Sequence, residues 1–497
     1  MFNLKDVRIQ IFFISCIAII FLFCKLWEGG LASYDDSFYA AQARGMVEAN
    51  DYLTPHYGGE AIHHNDPFCL WSMAVAFKLF GFSEYTARFY SAFFGFLTIL
   101  LAFFLGRAIY NNWTGFFASL ILMSTHIWMK FARHAMFDIT LTFWVTLTIF
   151  LFVLSRKTKN KKHSNTYLLL AGIATGIAIL TKSILGSFAM IGIFLFLLFS
   201  KDFKTIFNPF YLLSVLLALA VPAAWIVPNY LKYGNDFIAI HYGWIIFERG
   251  FVHYSDKQDF WSYFTYVKNI WVFYWPWVPF AFFGLLMAAV DFFKRKDTFG
   301  FLLVLWIFAT VGIMSIGHER EFRYIFPVFV PFAVLTSRAF TTYILKTEAA
   351  RTTTAKYSLA CFGIIALIIV ATPIHLNWGR DEDIKEIAPI LEQHIPKGTT
   401  LLRYNTEDYY TLQQPFMAYT SLKIDPKDIT AKNDIEKILA SNDQVFIVSY
   451  IENYKKLSQK FPIIAMSNQM IVFTNKFDQS KLYQRAIFEG PYQPNKR

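Results

Sequence analysis

Apolar runs of about 17–25 residues recur along most of this chain, and that spacing constrains the fold more than any other feature. A helix needs about 20 predominantly apolar residues to cross a hydrocarbon core, because no water is there to satisfy its backbone groups. Eleven such spans are read, near 9–27, 88–108, 113–131, 137–155, 166–181, 184–200, 208–228, 270–293, 299–316, 323–344 and 357–375. Only 16% of the 497 residues are charged, against about a quarter in soluble domains. The net charge of +11 sits in short loops: Arg156, Lys157, Lys159, Lys161 and Lys162; Lys201 and Lys204; Lys294, Arg295 and Lys296; Lys346, Arg351 and Lys356. With the N-terminus in the cytoplasm, every one of these clusters falls on the cytoplasmic side, as the positive-inside rule requires. The basic excess therefore reads as topology and not as nucleic-acid binding. Lys5 and Arg8 precede the first run without a clear small-residue cleavage site, which predicts an uncleaved first helix. Cys16, Cys24 and Cys361 fall inside apolar segments and no CxxC occurs, which argues against a disulfide framework or structural zinc.

The predicted fold is a polytopic α-helical membrane protein of about 11–13 transmembrane helices, carrying a C-terminal soluble α/β domain on the external face. Residues 1–375 form the membrane domain, with external loops at 28–87 and 229–269, and residues 376–497 form the tail. The setting expected is a cell (inner or plasma) membrane with the tail extracytoplasmic. Stretches 37–49 and 67–81 suit helices lying on the membrane. Trp244, Trp261, Tyr263, Tyr266, Trp271, Trp275 and Trp277 suit an interfacial belt. In the tail, 383–394 and 433–441 have helical spacing, whereas 399–403 and 444–450 are short apolar runs typical of buried strands. No Gly-rich phosphate loop is present, so no nucleotide is expected.

Carboxylates are costly near lipid and usually mark a functional cavity when several share one face. Asp35 and Asp36 follow the first span, and Asp138 opens a later one in Arg133-His134-Ala135-Met136-Phe137-Asp138. On the topology above, these share the external face with His63, His64, Asp66, His241, Arg249, His253, His318, Arg320 and Arg323. Each has a plainer role available. One of Asp35 and Asp36 could cap the helix that follows, leaving the other free. Asp138 could pair with Arg133, His63-His64 could be surface loop, and Arg320 and Arg323 could anchor at the interface. Arginine also suits phosphate, because its planar fork donates two hydrogen bonds at once.

The stretch Asp35-Asp36-Ser37-Phe38-Tyr39-Ala40-Ala41-Gln42-Ala43-Arg44-Gly45-Met46, followed by Asp51-Tyr52-Leu53-Thr54-Pro55, resembles the first-loop signature of the ArnT/PMT-type glycosyltransferases of the GT-C superfamily. Arg133 to Phe143 resembles that group's second acidic motif, and Leu180-Thr181-Lys182-Ser183 resembles its Leu-Thr-Lys-Gly turn. The resemblance covers roughly residues 30–340.

It implies a polyprenyl-phosphate-sugar donor, membrane lipids around it, and a lipid (such as lipid A), protein or glycan acceptor. The sugar would move with inversion at the anomeric carbon. Asp35, supported by Asp36 and Asp138, would do the acid–base work. Tyr39, Arg133 and His134 would shape the acceptor cavity. One departure stands out. Aminoarabinose transferases carry Phe-Glu-Lys-Pro-Pro where this chain has His63-His64-Asn65-Asp66-Pro67. Asn65 supplies no positive charge, so donor phosphate would rest on Arg320, Arg323, Arg249 or Lys182. His64 or His63, with His241 or His253, could instead hold a divalent metal such as zinc, magnesium or manganese. The departure speaks against aminoarabinose as the sugar. A transporter or flippase, or a polymerase or ligase of lipid-linked polysaccharide, is the competing reading. Transporters favour midplane charges and repeated halves, neither of which is evident here.

Overall fold

The computed structural model describes residues 3–248, 260–295, 298–317, 320–374, 376, 382–406 and 408–476. Among them, seven helices are long and apolar enough to cross a membrane, and two further bent pairs raise the number to nine if each is one span. The protein is a multi-pass membrane protein.

Helices α1 (Val7–Phe23), α2 (Asp35–Ala49) and α3 (Pro67–Phe80) precede the first long helix, α4 (Glu84–Ile109). A small antiparallel hairpin, β1 (His56–Tyr57) with β2 (Glu60–Ala61), lies between α2 and α3. Then follow α5 (Asn112–Ser124), α6 (His126–Ala132), α7 (Phe137–Lys157), α8 (Lys161–Lys182) and α9 (Phe188–Phe199). The count departs from eleven for local reasons. Helix α1 has 17 residues and falls short of a full span. Helices α5 and α6 meet at 76°, and the helices at 261–273 and 278–294 meet at 118°. The expected spans at 166–181 and 184–200 form one helical run, Lys161–Phe199, interrupted at Ser183, whose φ is 40°. A left-handed φ is unfavourable for a residue with a Cβ, so this break is imposed by what surrounds it.

Helix α8 packs between α7 and the helix Pro209–Tyr233. A Cβ on Gly172 would lie 2.2 Å from the Ser214 carbonyl oxygen, so only glycine allows that approach. The membrane core is aromatic, with Phe103, Phe116, Trp128, Phe152, Trp306, Phe326 and Phe329 fully buried. Lipid-facing Leu, Val and Phe side chains, such as Leu216, Leu219 and Leu367, remain exposed on the outer faces of their helices.

Helix α2 is alanine-rich, carries two acidic residues in its first turn where the helix dipole favours them, and ends at Asn50 in the left-handed region. Asp36, Ser37 and Tyr39 to Ala43 are buried, so the helix lies inside the protein and not free on a membrane surface.

The tail is a five-stranded mixed sheet in the order β4-β3-β5-β7-β6, with β3 (Thr400–Tyr404), β4 (Lys423–Ile429), β5 (Phe446–Tyr450), β6 (Ile463–Met466) and β7 (Met470–Thr474). β3 is parallel to β4 and β5, and β7 is antiparallel to β5 and β6. Strand alternation splits the core in two. Leu401, Val448 and Val472 meet Ile384, Ile387, Leu391 and Phe416, whereas Tyr404, Ile447 and Phe473 meet Ile435, Leu439 and Tyr454. The expected helices and strands are found at Glu382–His394, Lys432–Leu439, β3 and β5. The helix Tyr409–Tyr419 was not foreseen.

That helix docks the tail on α2. Met417 and Ala418 join the apolar cluster of Tyr39, Ala43, Met46 and Leu70. The Tyr419 hydroxyl donates to Glu84 at 3.0 Å and accepts from the Leu31 amide at 2.7 Å. Arg44 donates to the Ala418 carbonyl at 3.1 Å and to Glu392 at 2.9 Å.

Candidate functional site

A cavity of about 550 Å³ opens where α2, the end of α8, the segment Phe322–Val328 and the tail helix meet. Asp35, Tyr39, His64, Asn65, Asp66, Lys182 and Arg323 line it. The sequence brings them there through helix ends: Asp35 opens α2, Lys182 closes α8, and Ser183 turns the chain.

The two neighbouring aspartates part company. Asp36 is 3% exposed and turned into the protein. It accepts from the Ala135 amide at 2.5 Å and the Ala32 amide at 3.1 Å, and meets Arg88 at 3.4 Å and His134 at 3.5 Å. Burial alone would raise its pKa, but Arg88, His134 and the Ala135 amide together hold the carboxyl well below the usual range. Asp35, one residue earlier, lines the cavity and pairs with Arg323.

Asp138 lies beneath the cavity, 1% exposed, with Lys182 Nζ 2.5 Å from its Oδ1. Its partner is therefore Lys182 and not Arg133. Lys182 also faces the Tyr324 ring at 5.0 Å and reaches the cavity. Asp66 accepts from the Ser183 hydroxyl at 2.6 Å and lies 3.4 Å from His241 Nε2. Asn65 donates to Gln42 at 3.1 Å. Tyr39 stacks on Phe137 with centroids 4.0 Å apart.

Several expected site residues lie elsewhere. Arg133 is buried and donates to the carbonyls of Phe21, Leu22 and Cys24, closing the end of α1. His134 stands against Asp36 and does not line the cavity. Arg320 donates to the Ser315 carbonyl and covers the Tyr263 ring. Arg249 and His253 lie outside the described residues. Of the histidines, His64 lines the cavity. The His63 ring meets Tyr233 at a tilt and Phe237 edge-on, and the His63 carbonyl lies 3.0 Å from His241 Nδ1. Burial and the neighbouring His241 and His64 lower the His63 pKa. Burial would lower that of His241 too, but Asp66 outweighs it and raises it. Among the described residues, no three His, Cys, Asp or Glu side chains come together as a metal site. Of the expected set, His63 or His64 with His241 or His253, the three described histidines do not form such a group, and His253 lies outside the described residues.

Sequence reading missed Arg88, which is fully buried and donates to the carbonyls of Leu26, Glu28 and Gly30 as well as facing Asp36. It lies within a span, and only its charge could have flagged it. Tyr324 and the tail residues Tyr409, Tyr410, Gln413 and Gln414 carry no such signal.

Residues 63–227 match the family model described as dolichyl-phosphate-mannose-protein mannosyltransferase. An undecaprenyl phosphate-α-4-amino-4-deoxy-L-arabinose arabinosyl transferase of Aeromonas hydrophila is 25% identical over 390 residues, covering 73% of this chain and 66% of the relative. An uncharacterized protein of Aquifex aeolicus is 28% identical over 320 residues, covering 64% and 61%. The crystal structure of ArnT from Cupriavidus metallidurans bound to undecaprenyl phosphate superposes with a TM-score of 0.72 at 17% identity, covering 93% of this chain and 97% of that one. The chain has a GT-C fold of the ArnT/PMT type. The oligosaccharyltransferase of Archaeoglobus fulgidus shares that GT-C fold at a TM-score of 0.60 and 15% identity, covering 90% of this chain and 70% of the other. The chain spans about two thirds or less of the length of the two relatives named.

Proposed function

We propose that this protein is a membrane glycosyltransferase that moves a sugar from a polyprenyl-phosphate donor to an acceptor hydroxyl on the external face, with inversion. The observation that carries the reading is a cavity lined by two carboxylates, Asp35 and Asp66, and two cations, Lys182 and Arg323. The acceptor oxygen attacks the anomeric carbon as the bond from that carbon to the phosphate oxygen breaks. Asp35 takes the hydroxyl proton, which a general base makes about 10²–10⁴-fold faster. The bond pair leaves on the phosphate, where Arg323 and Lys182 balance the growing charge. Arg323 has enough N–H groups to hold Asp35 and a phosphate oxygen together. Asp138 acts through Lys182, holding its ammonium at the cavity floor.

The relatives' names and the undecaprenyl phosphate bound to the Cupriavidus protein support the donor class. His64 and Asn65, at the positions where aminoarabinose transferases carry Glu and Lys, favour a different sugar. The acceptor is an envelope glycolipid, protein or glycan, and the membrane is the inner or plasma membrane with the N-terminus inside. A structure of the Archaeoglobus oligosaccharyltransferase is a complex with zinc and sulfate. On the present reading Arg323 and Lys182 would balance the phosphate charge without a divalent ion. Transfer by purified protein should survive chelation.

Mass spectrometry of envelope glycolipids and glycoproteins, from cells with and without the chain, tests the reading. A single-sugar mass should vanish with the gene. Identical envelopes, together with purified protein inert toward a panel of undecaprenyl-phosphate sugars, would overturn it.

A further inference from the structure

The tail helix Tyr409–Tyr419 completes the cavity wall. Tyr409, Tyr410, Gln413 and Gln414 line the same volume as Asp35. The register explains it: 409/413 and 410/414 are four residues apart and share a face, whereas Leu412 and Phe416 turn into the tail core. This wall is made of two phenols and two amides and has no Asp, Glu, Lys, Arg or His side chain. Gln413 Oε1 accepts from the Ile424 amide at 2.9 Å. Gln414 is only 9% exposed, yet its Oε1 has no hydrogen-bond partner among the described residues. Leaving such a buried acceptor unsatisfied is unfavourable, and a turn of the amide toward the cavity would let a ligand hydroxyl donate to it.

We propose that this wall is the acceptor subsite and that it reads a neutral, hydroxyl-rich saccharide. The proposal rests on the glycosyl-transfer reading and names its acceptor class. Sugar hydroxyls both donate and accept, as primary amides do, and a sugar ring lays its C–H face on a phenol ring. A phosphate-bearing headgroup fits poorly. Among the described lining residues the full cations are Lys182 and Arg323, each paired with a carboxylate, and the tail wall adds none. Asp35 and Asp66 would repel a second anion. A peptide acceptor commonly binds by adding to a sheet edge, and no strand of the five-stranded sheet lines the cavity.

Full-length protein in nanodiscs provides the test. Saturation-transfer NMR would compare N,N′-diacetylchitobiose, a bisphosphorylated glucosamine disaccharide and a Ser/Thr-containing peptide, with undecaprenyl phosphate binding measured in parallel. Diacetylchitobiose should bind the wild type, and Tyr410→Ala and Gln414→Ala should each weaken it about tenfold, the value of one hydrogen bond or packed ring. Undecaprenyl phosphate binding should be unchanged in both. Tyr410 is 59% exposed, so its truncation keeps the test open if Gln414→Ala fails to fold. Tighter binding of the phosphorylated disaccharide, binding of the peptide alone, or unaltered diacetylchitobiose binding in both variants would overturn the proposal. A wild type that ignores undecaprenyl phosphate would instead sink the donor reading, which is scored separately.

Discussion

Asp35 and Asp36 are joined by one peptide bond and occupy two different physical settings. Asp36 belongs to a buried knot with Arg88, His134 and the Ala32 and Ala135 amides, which ties the start of α2 to the segments 26–32 and 134–136. Asp35 belongs to the cavity, facing Arg323. In the knot, the carboxylate's hydrogen-bonding capacity is spent on the protein. In the cavity, the carboxylates of Asp35 and Asp66 and two cations line the space open to a ligand. The same residue type thus holds the fold on one side of a helix turn and is available for chemistry on the other.

The sharpest way to break this contrast is to neutralise each aspartate. Asp35→Asn should lower sugar transfer by about 10²–10⁴-fold while thermal stability stays within experimental scatter. A large loss of stability would move Asp35 into the knot. Asp36→Asn should do the reverse. Removing one partner of a buried pair costs about 3–5 kcal/mol, so lower protein yield and melting temperature are expected, with the surviving folded fraction retaining transfer. Lys182→Met joins the two regions. It leaves Asp138 buried without its counter-charge, a cost of the same class, and should also weaken undecaprenyl phosphate binding. Melting curves and a lipid-binding assay on one preparation would separate the two effects.

The pH dependence sharpens the knot alone. Asp36 has a folded pKa below its unfolded value, near 3.9. Its stabilisation is therefore full above that value and is lost as pH falls through the folded pKa. The stability gap between wild type and Asp36→Asn should be flat from neutral pH to about pH 5 and close below about pH 4. The smallest effect is expected at Tyr324→Leu, which removes the ring facing Lys182. About 0.5–1 kcal/mol of donor affinity should go with it.

The first-loop motif was legible because its residues lie consecutively on one short helix, and the tail elements at 383–394, 399–403, 433–441 and 444–450 were legible from their periodicity. The partner of Asp138 was not. Arg133 is five residues away in sequence, but its guanidinium finds the open carbonyls at the end of α1, while Lys182 arrives from 44 residues further on. Arg320 and Arg323 looked equivalent on paper. The short helical segment Phe322–Val328 takes Arg323 to the cavity, and Arg320 stays against Tyr263.

Sequence alone determined that the chain crosses a membrane many times, since hydropathy and backbone satisfaction are properties of each segment by itself. It also determined which motif carries the acidic pair. Only the tertiary structure decided which aspartate faces the cavity, which cations accompany it, and that a helix from the C-terminal sheet domain closes the wall. Those outcomes depend on side chains from distant segments competing for the same buried hydrogen bonds and counter-charges, and no local pattern records who wins.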